Sequence, residues 1–557
     1  MTKDRLIYLP LGGAGEIGMN CYVYGYGPKG HERLIVVDLG VTFPNMDTSP
    51  GVDLIMPDIG WLADRADRIE GIFITHAHED HVGAVGLLWA RLRAPVFARN
   101  FTGLIAQQKL ETRGEHPGIV NVTGPMPEMV EAGPFRVGFL PVSHSIPESS
   151  SLVIDTPAGR IIHTADFKID RTPVVGEAFD DDAWKAAAAG GVKALACDST
   201  NVFSEAPGRS EATLAEPLTE LIGSAKGLVA ATTFASNVAR LRTLAEAGIA
   251  TGRSVVLLGR AMNNMVATAR EAGLIPDFPS TVPVEEALDI SRENLLLLVT
   301  GSQGERRAAA AQLSQGKYLG MDLREGDMFI FSSKTIPGNE REVGRIMNNL
   351  SQLGVDVVGD GDHRYHVSGH ANRPDLEFMQ DLVNPEMVIP MHGEHRHLRE
   401  HARLAKERGR GSVIAPNGTM VDLTGKRPVI VDEIEVSRTY LDGTVLIGAL
   451  DGVVRDRIRA ARNGTVVVSV IIDEDHEVLG GAWVHASGLP KVGGAGIELT
   501  EVIEEEVEKE LSRLGRKVLR DDDRVEDHVK RAARKAAQSE VGKKPEVAVL
   551  ISRLEGE

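Results

Sequence analysis

Residues 75–81 read Thr-His-Ala-His-Glu-Asp-His, which puts His76, His78, Asp80 and His81 within six residues, directly after the apolar run Ile72–Thr75. Three imidazoles and a carboxylate on one strand-to-helix turn would compete for buried hydrogen-bond partners, whereas a divalent cation satisfies them together. One turn cannot enclose two ions, so further ligands are sought where strands terminate in His or Asp. His144 closes the run Phe139–His144, Asp166 closes Arg160–Asp166, and His392 closes Met387–His392. A lone strand-end His or Asp is more often a cap; it is the turn that raises these three above that reading. The seven donors suffice for two ions if Asp166 bridges them. His76, His78 and His144 are assigned to one ion, and Asp80, His81 and His392 to the other.

The elements that must position these residues come in two kinds. Strands end at the ligands, and a gap of 226 positions between Asp166 and His392 leaves room for a whole inserted domain. Inside it apolar runs alternate with helical patterns: Leu228–Ala231 then Asn237–Ala247, Val255–Leu258 then Ala261–Ala272, Leu295–Val299 then Glu305–Leu313, and Met328–Phe331 then Glu340–Leu353, with Val355–Val358 last. Such β-α alternation predicts a parallel, doubly wound sheet. Ligands bind beyond the carboxyl ends of its strands, where the loops Thr232–Asn237, Gly259–Asn264, Thr300–Gly304 and Ser332–Asn339 are small, hydroxylated and amide-rich. Ordinary turn chemistry accounts for each loop alone; four on one edge favour a phosphate-lined groove, with Ser236 and Asn237 among the donors. The fingerprint Gly13-x-Gly15-x-x-Gly18 follows a strand but precedes another, Asn20–Tyr24, so it reads as a hairpin turn rather than a dinucleotide site.

His-x-His-x-Asp-His followed by separated His, Asp and His resembles the metallo-β-lactamase fold, a four-layer αββα sandwich with a dinuclear site at one edge. An insertion closed by Tyr365-His-Val-Ser-Gly-His370 and preceded by the acidic strand end Ala196-Cys-Asp198 resembles the β-CASP nucleases. Among them the motifs are similar to the bacterial ribonuclease J family: Leu11–Gly18, Thr75–His81, Thr300–Glu305, Ile336–Glu340, His366–His370 and Met391–Glu394. Arg306-Arg307 and Lys334-Thr335 depart from that pattern and add positive charge near the expected RNA path. The resemblance implies an α/β chain: a sandwich in two parts, 1–205 and 369–445, an inserted β-CASP domain over 206–368, a linker over 446–463 and a small C-terminal α/β domain over 464–557. It implies two divalent ions, zinc suiting such donors at a hydrolytic site and Mn²⁺ accepting the same set. The related diiron oxidases carry Glu where His78 stands, which argues against redox chemistry. Asp38 resembles the second-shell carboxylate that orients the site, a plain strand cap being the other reading.

The same resemblance implies hydrolysis of RNA, with 5′-to-3′ exonuclease activity on single-stranded 5′-monophosphate ends and endonuclease activity, in RNA maturation, including rRNA processing, and mRNA decay. Asp80 would orient the attacking water. His370, partnered by Asp198, would stabilise the developing charge or protonate the leaving oxygen, and His366, Val367, Ser368, Gly369 and His370 would hold a substrate phosphate. A homodimer or homotetramer is implied. A DNA-processing β-CASP nuclease and a non-catalytic, metal-stabilised RNA-binding module are the rival readings.

Composition bounds the rest. The 557 residues suggest three or four domain-sized units. Two cysteines give no disulfide framework, the start lacks an apolar leader, and no run approaches the ~18 apolar residues of a membrane helix, so a cytoplasmic protein is expected. A net charge of −18 is awkward for an RNA enzyme, but acidic runs such as Asp180–Asp182, Glu504–Glu506 and Asp521–Asp523 carry much of it, which leaves room for a narrow cationic channel. Beyond residue 464 the pattern predicts a strand Thr465–Ile472, a helix with Leu499, Val502, Ile503, Val507, Leu511 and Leu514 on one face, a basic helix around Lys530–Lys535 with a solvated face or an RNA contact, and a last strand Val547–Ile551.

Overall fold

The computed structural model describes residues 4–336, 338–359 and 364–554, so the first three residues and Pro337 of the Ile336–Glu340 motif lie outside the described residues. The chain divides into two compact units, Met1–Thr42 with Met56–Val436 and Phe43–Ile55 with Ser437–Glu557.

In the first unit an eight-stranded sheet runs Val429–Glu433, Thr419–Asp422, Arg5–Gly12, Cys21–Gly27, Arg33–Val37, Ile69–Ile74, Val96–Ala98, Val120–Val122. A seven-stranded sheet runs Gly411–Ser412, Met387–Met391, Ala194–Asp198, Gly159–His163, Ser150–Thr156, Phe135–Pro141, Val130–Ala132. Tyr8, Tyr22, Tyr24 and Phe73 of the first sheet and Phe139, Ile154, Ile161 and Ile389 of the second are fully buried in one shared core. Central strands covered on both faces cannot alternate apolar with polar, which is why Leu34–Val37 and Ala194–Cys197 read as unbroken apolar runs. Helices cover the outer faces: Asn100–Glu111 packs on the strands Val96–Ala98 and Val120–Val122, and Asp181–Ala188, Arg373–Val383 and His395–Glu407 bury Trp184, Met379 and Leu404 against the second sheet. This is the αββα sandwich. Arg5–Gly12 and Cys21–Gly27 pair antiparallel, so the glycine fingerprint is indeed a hairpin connection.

The insertion forms a five-stranded, wholly parallel sheet in the order Ser254–Leu258, Leu295–Val299, Val229–Thr232, Met328–Phe331, Asp356–Val358. Its helices Val238–Ala250, Arg260–Glu271 and Glu340–Gln352 start and stop within three residues of the sequence expectation. The expected helix Glu305–Leu313 is shorter, Ala309–Ser314, because Glu305 stays in the loop and its carboxylate accepts from Gln303 N instead of opening a helical turn.

In the second unit the strands Val478–Ser487, Thr465–Ile472 and Glu546–Arg553 form one sheet, and Leu499, Ile503, Val507 and Leu511 are buried against it together with Val525, Val529 and Ala533 of the helix Asp522–Val541. Lys530 of that helix pairs with Glu526 and Arg534 with Glu546, as on a solvated face. The stretch expected to be a linker with a short helix holds a helix, Val453–Asn463, and also the strand Val445–Gly448, and Asp53 N donates to Leu441 O at 2.9 Å. Among the described residues no helix is long and apolar enough to cross a membrane.

Candidate metal centre

Strand register gathers the polar residues. Asp198 stands opposite Met391 in adjacent parallel strands, so His392 emerges beside it, and Ala196 stands opposite His163, which sets Asp166 three residues further along. Asp38, Ala165 and His392 have left-handed backbones, with φ of 64°, 52° and 47°, a conformation that non-glycine residues hold only where the surroundings enforce it. The His76–His81 turn is clamped from below. Leu39 N donates to His81 O at 2.8 Å and Asn20 N to Asp80 O at 2.8 Å. Gly40 permits this approach, since a Cβ there would lie 1.7 Å from Asp80 O.

Donor atoms of His76, His78, His144 and Asp166 lie within 4.8 Å of one another, and so do those of Asp80, His81, Asp166 and His392. The structure thus brings all seven sequence-derived donors to one edge, with Asp166 common to both groups. A third group overlaps them, Asp166, Asp198, His370 and His392. His76 Nε2 and His144 Nε2 each stand 3.1 Å from His78 Nδ1. That nitrogen has one proton or one lone pair, so it cannot satisfy both contacts by hydrogen bonding, whereas a cation between the three nitrogens can. Asp166 Oδ1 lies 2.9 Å from His392 Nδ1 without hydrogen-bond alignment, and both Asp166 Oδ1 and His392 Nε2 are buried with no hydrogen bond. Buried polar atoms left in this state fit a donor set shaped for metal ions.

The outer partners fix which nitrogen faces inward. His81 Nδ1 is 2.8 Å from Asp38 Oδ2, turning Nε2 toward Asp166 Oδ2 at 3.3 Å and Asp80 Oδ2 at 3.6 Å. Asp38 also accepts from Thr75 N at 2.8 Å, so it orients His81 and clamps the turn at once. His144 Nδ1 lies 2.6 Å from Gly369 O. Thr200 Oγ1 bridges Asp198 Oδ1 at 2.7 Å and His392 Nδ1 at 3.2 Å.

Charge divides the imidazoles. Burial lowers His78 to about 4, and burial with neighbouring imidazoles pushes His76 and His144 well below the ordinary value. Burial also opposes protonation of His81, but Asp166, Asp80 and Asp38 outweigh it and raise the group to about 10; His392, with Asp166 as its largest charged neighbour, is likewise lifted well above the ordinary value against burial. Asp80 and Asp166 sit low despite burial, because these imidazoles face them, whereas burial lifts Asp38 above the usual carboxylate range. A pocket with three converging carboxylates in a buried setting is one that favours positive charge.

His370 Nδ1 is 2.7 Å from Asp198 Oδ2, and its Nε2 is 4.0 Å from Asp166 Oδ2. Burial pulls its imidazolium down, Asp198 and Asp166 pull it up, and the balance lies above the usual value. Ser368 Oγ accepts from Asn201 Nδ2 at 2.8 Å and from His370 N at 3.1 Å, while Val367 is buried. His366 Nδ1 lies 3.3 Å from Arg240 Nη1, and burial with that cation holds His366 neutral, well below its usual pKa. Arg240, fully buried, also pairs with both oxygens of Glu211 and donates to Ser332 O and Ser332 Oγ.

The loops of the inserted sheet serve themselves more than the sequence reading expects. Thr232 Oγ1 donates to Val299 O, Asn263 Nδ2 to Leu257 O and Gly259 O, and Gln303 ties Lys334 O, Ile336 N and Asn339 together. Asn237 is buried and caps its helix by accepting from Arg240 N at 2.9 Å; half-buried Ser236 precedes it. Among the described residues no hydrogen bond joins either one to His366–His370; Asn237 reaches that segment through Arg240. Sequence reasoning missed Asn20, whose Nδ2 is 2.9 Å from His81 Nε2, and also Thr200, Asn201 and Arg240. Thr200 and Asn201 follow the acidic strand end by two and three residues and were in reach of the motif; Arg240, in the first turn of its helix, carried no local signal.

Comparison with known proteins agrees domain by domain. Residues 14–193 match the metallo-beta-lactamase superfamily, 226–350 the ribonuclease J beta-CASP domain, 355–416 the Zn-dependent metallo-hydrolase RNA specificity domain, and 452–554 the ribonuclease J C-terminal domain. A ribonuclease J of Sinorhizobium meliloti is 40% identical over 100% of this chain and 98% of its own length. One of Mycolicibacterium smegmatis is 36% identical over 94% and 93%, and one of Thermus thermophilus 34% over 85% and 83%. A crystal structure of a protein of unknown function from Enterococcus faecalis shares the fold, with a TM-score of 0.51 and 17% identity over 75% of this chain and 100% of that one. With family matches in every domain and relatives aligned along its whole length, the chain belongs to the ribonuclease J family.

Proposed function

We propose that this chain is a metal-dependent ribonuclease that degrades RNA from 5′-monophosphate ends in the 5′-to-3′ direction and also cuts internally. The observation that carries the reading is the apposition of two donor sets sharing Asp166 with the His370–Asp198 pair on the same edge. His76, His78, His144 and Asp166 would hold one ion and Asp80, His81, Asp166 and His392 the other, zinc being the expected metal and Mn²⁺ the alternative. Two such ions, when bound, acidify water and neutralise phosphate charge.

The chain's own residues do the remainder. Asp38 and Gly369 O hold His81 and His144 with one nitrogen turned inward. Asp198 holds His370 by Nδ1, so Nε2 is free to donate a proton to the leaving oxygen or a hydrogen bond to the charge developing on phosphorus. Asp80, 30% exposed at its side chain and so the most open of the carboxylates, is placed to accept a proton from an attacking water. His366, Ser368 and the backbone through Gly369 would receive a terminal phosphate.

Buried free thiols at Cys21 and Cys197 suit a reducing cytoplasm, and a homodimer or homotetramer, readable by light scattering, is the expected assembly. The deciding experiment incubates the protein with 5′-labelled and with 3′-labelled RNA in Zn²⁺, Mn²⁺ or Mg²⁺. Mononucleotides from the 5′ label and shortening 3′-labelled products support the reading; no chelator-sensitive cleavage refutes it, and preferential cleavage of DNA of the same sequence would move the chain to the DNA-processing branch.

A further inference from the structure

Phe203 is 49% exposed on the turn that leaves Asp198, where Val202 N donates to Ser199 O and Ser204 N to Asn201 O. Beside it opens a groove of about 740 Å³ along the outward face of the helix His395–Glu407, which begins three residues after His392. Arg396, Arg399, Arg403 and Lys406 line this groove at steps of three and four residues, so their charges form one stripe about 15 Å long. Ala402 and Ile414 add apolar lining, and Glu400 and Glu407 line the same groove.

Carboxylates cancel part of the stripe. Arg396 pairs with Glu394, and Arg403 with Glu400 and Glu407. Arg399 and Lys406 are exposed and have no carboxylate partner among the described residues. Phe203 is supported from one side by the Arg396 guanidinium, 5.9 Å from its ring, and by the His397 ring at 5.3 Å. In a chain of net charge −18, unpaired cations beside an exposed ring mark a place suited to a polyanion with flat faces. A cationic track with an aromatic platform is how single strands are held without sequence preference.

We propose that this groove is a second RNA subsite, in which an unpaired base stacks on Phe203 and neighbouring phosphates lie along Arg399 and Lys406. It rests on the ribonuclease reading and extends it: Phe203 follows Asp198 by five residues and the helix His395–Glu407 begins three residues after His392, so both walls of the groove leave the site within a few residues. The stripe gives length-dependent affinity to a long RNA and nothing to a fragment too short to leave the site.

The test compares wild type, Arg399→Glu/Lys406→Glu and Phe203→Ala, all full length. Fluorescence anisotropy would report binding of all-phosphorothioate RNAs of three and fifteen nucleotides over a salt series, with hydrolysis of bis(p-nitrophenyl) phosphate as a control for the centre. Expected are about tenfold or greater loss of affinity for the fifteen-mer in either variant, a salt slope shallower by about 1.4 in the double variant, and unchanged trimer binding and ester hydrolysis. Unchanged fifteen-mer affinity and slope in the double variant, whose positions lie on an exposed helix face, overturns the proposal and leaves the stripe to an acidic protein partner. Equal losses for trimer, ester and fifteen-mer overturn it too, by placing the groove within the catalytic machinery. Failure of wild type to cut RNA would strike the ribonuclease reading instead.

Discussion

Asp198 Oδ2 lies 2.7 Å from His370 Nδ1, joining the last residue of a sandwich strand to the segment that closes the insertion, 172 positions away. The bond presents the other ring nitrogen of His370 to Asp166, and in the proposed mechanism the pair is an orienting device for an acid. His370→Ala should therefore cut RNA about 10² to 10⁴ times more slowly with metal content and RNA affinity nearly unchanged. Because Asp166, Asp198, His370 and His392 also sit close enough to share an ion, elemental analysis of the variant matters as much as its rate. Metal loss matching that of a His76 variant would make His370 a ligand.

His76 is fully buried and meets His78 and Asp166. His76→Ala should lower the bound metal by up to one ion per chain and abolish cleavage while the circular dichroism and the thermal transition stay close to wild type, since the ring lies at the sandwich edge and not in its core. Full activity at unchanged metal content would sink the two-ion assignment.

Ser368 Oγ accepts from Asn201 and from His370 N, which fixes the hydroxyl in the segment proposed to receive a terminal phosphate. Exonucleolytic decay should run much faster on 5′-monophosphate RNA than on the same RNA with a 5′-triphosphate, and Ser368→Val should narrow the ratio without removing metal. Endonucleolytic cuts, which need no end, should change less. Equal decay of both end types would remove the end-reading role from His366–His370.

His401 is fully buried between Ser199 Oγ at 3.0 Å and Gln380 Nε2 at 3.3 Å, and burial holds its pKa down to about 4. Above the ordinary value near 6.5 the ring is neutral in both folded and unfolded chains and pH has no leverage. Below it the unfolded chain takes up a proton that the folded one refuses until about pH 4, so stability falls across that window and levels off beneath it. Urea titrations from pH 7 to 4 should show this loss, and His401→Gln should flatten it. An identical pH slope in the variant would assign the loss to other groups.

The sequence by itself determined the seven donors, the inserted parallel sheet and the hairpin at Gly13–Gly18. Each is local: metal-binding side chains packed into one turn, apolar runs of strand length, and strands on both sides of a glycine-rich connection. Strand-end positions were legible because a side chain at a carboxyl end faces the cleft whatever lies elsewhere in the chain. Only the tertiary structure decided what those residues touch. That Asp166 is common to both donor groups follows from the parallel register of Gly159–His163, Ala194–Asp198 and Met387–Met391, which joins segments 33 and 193 positions apart. Arg240 shows the limit most plainly. In sequence it is one more polar residue of an amphipathic helix; folded, it is wholly buried and ties Glu211, Ser332 and His366 into one post beside the site. Asn237 moved the opposite way, from an expected phosphate donor to a helix cap, because whether a loop amide faces a ligand or its own backbone depends on a helix start that composition does not locate to the residue.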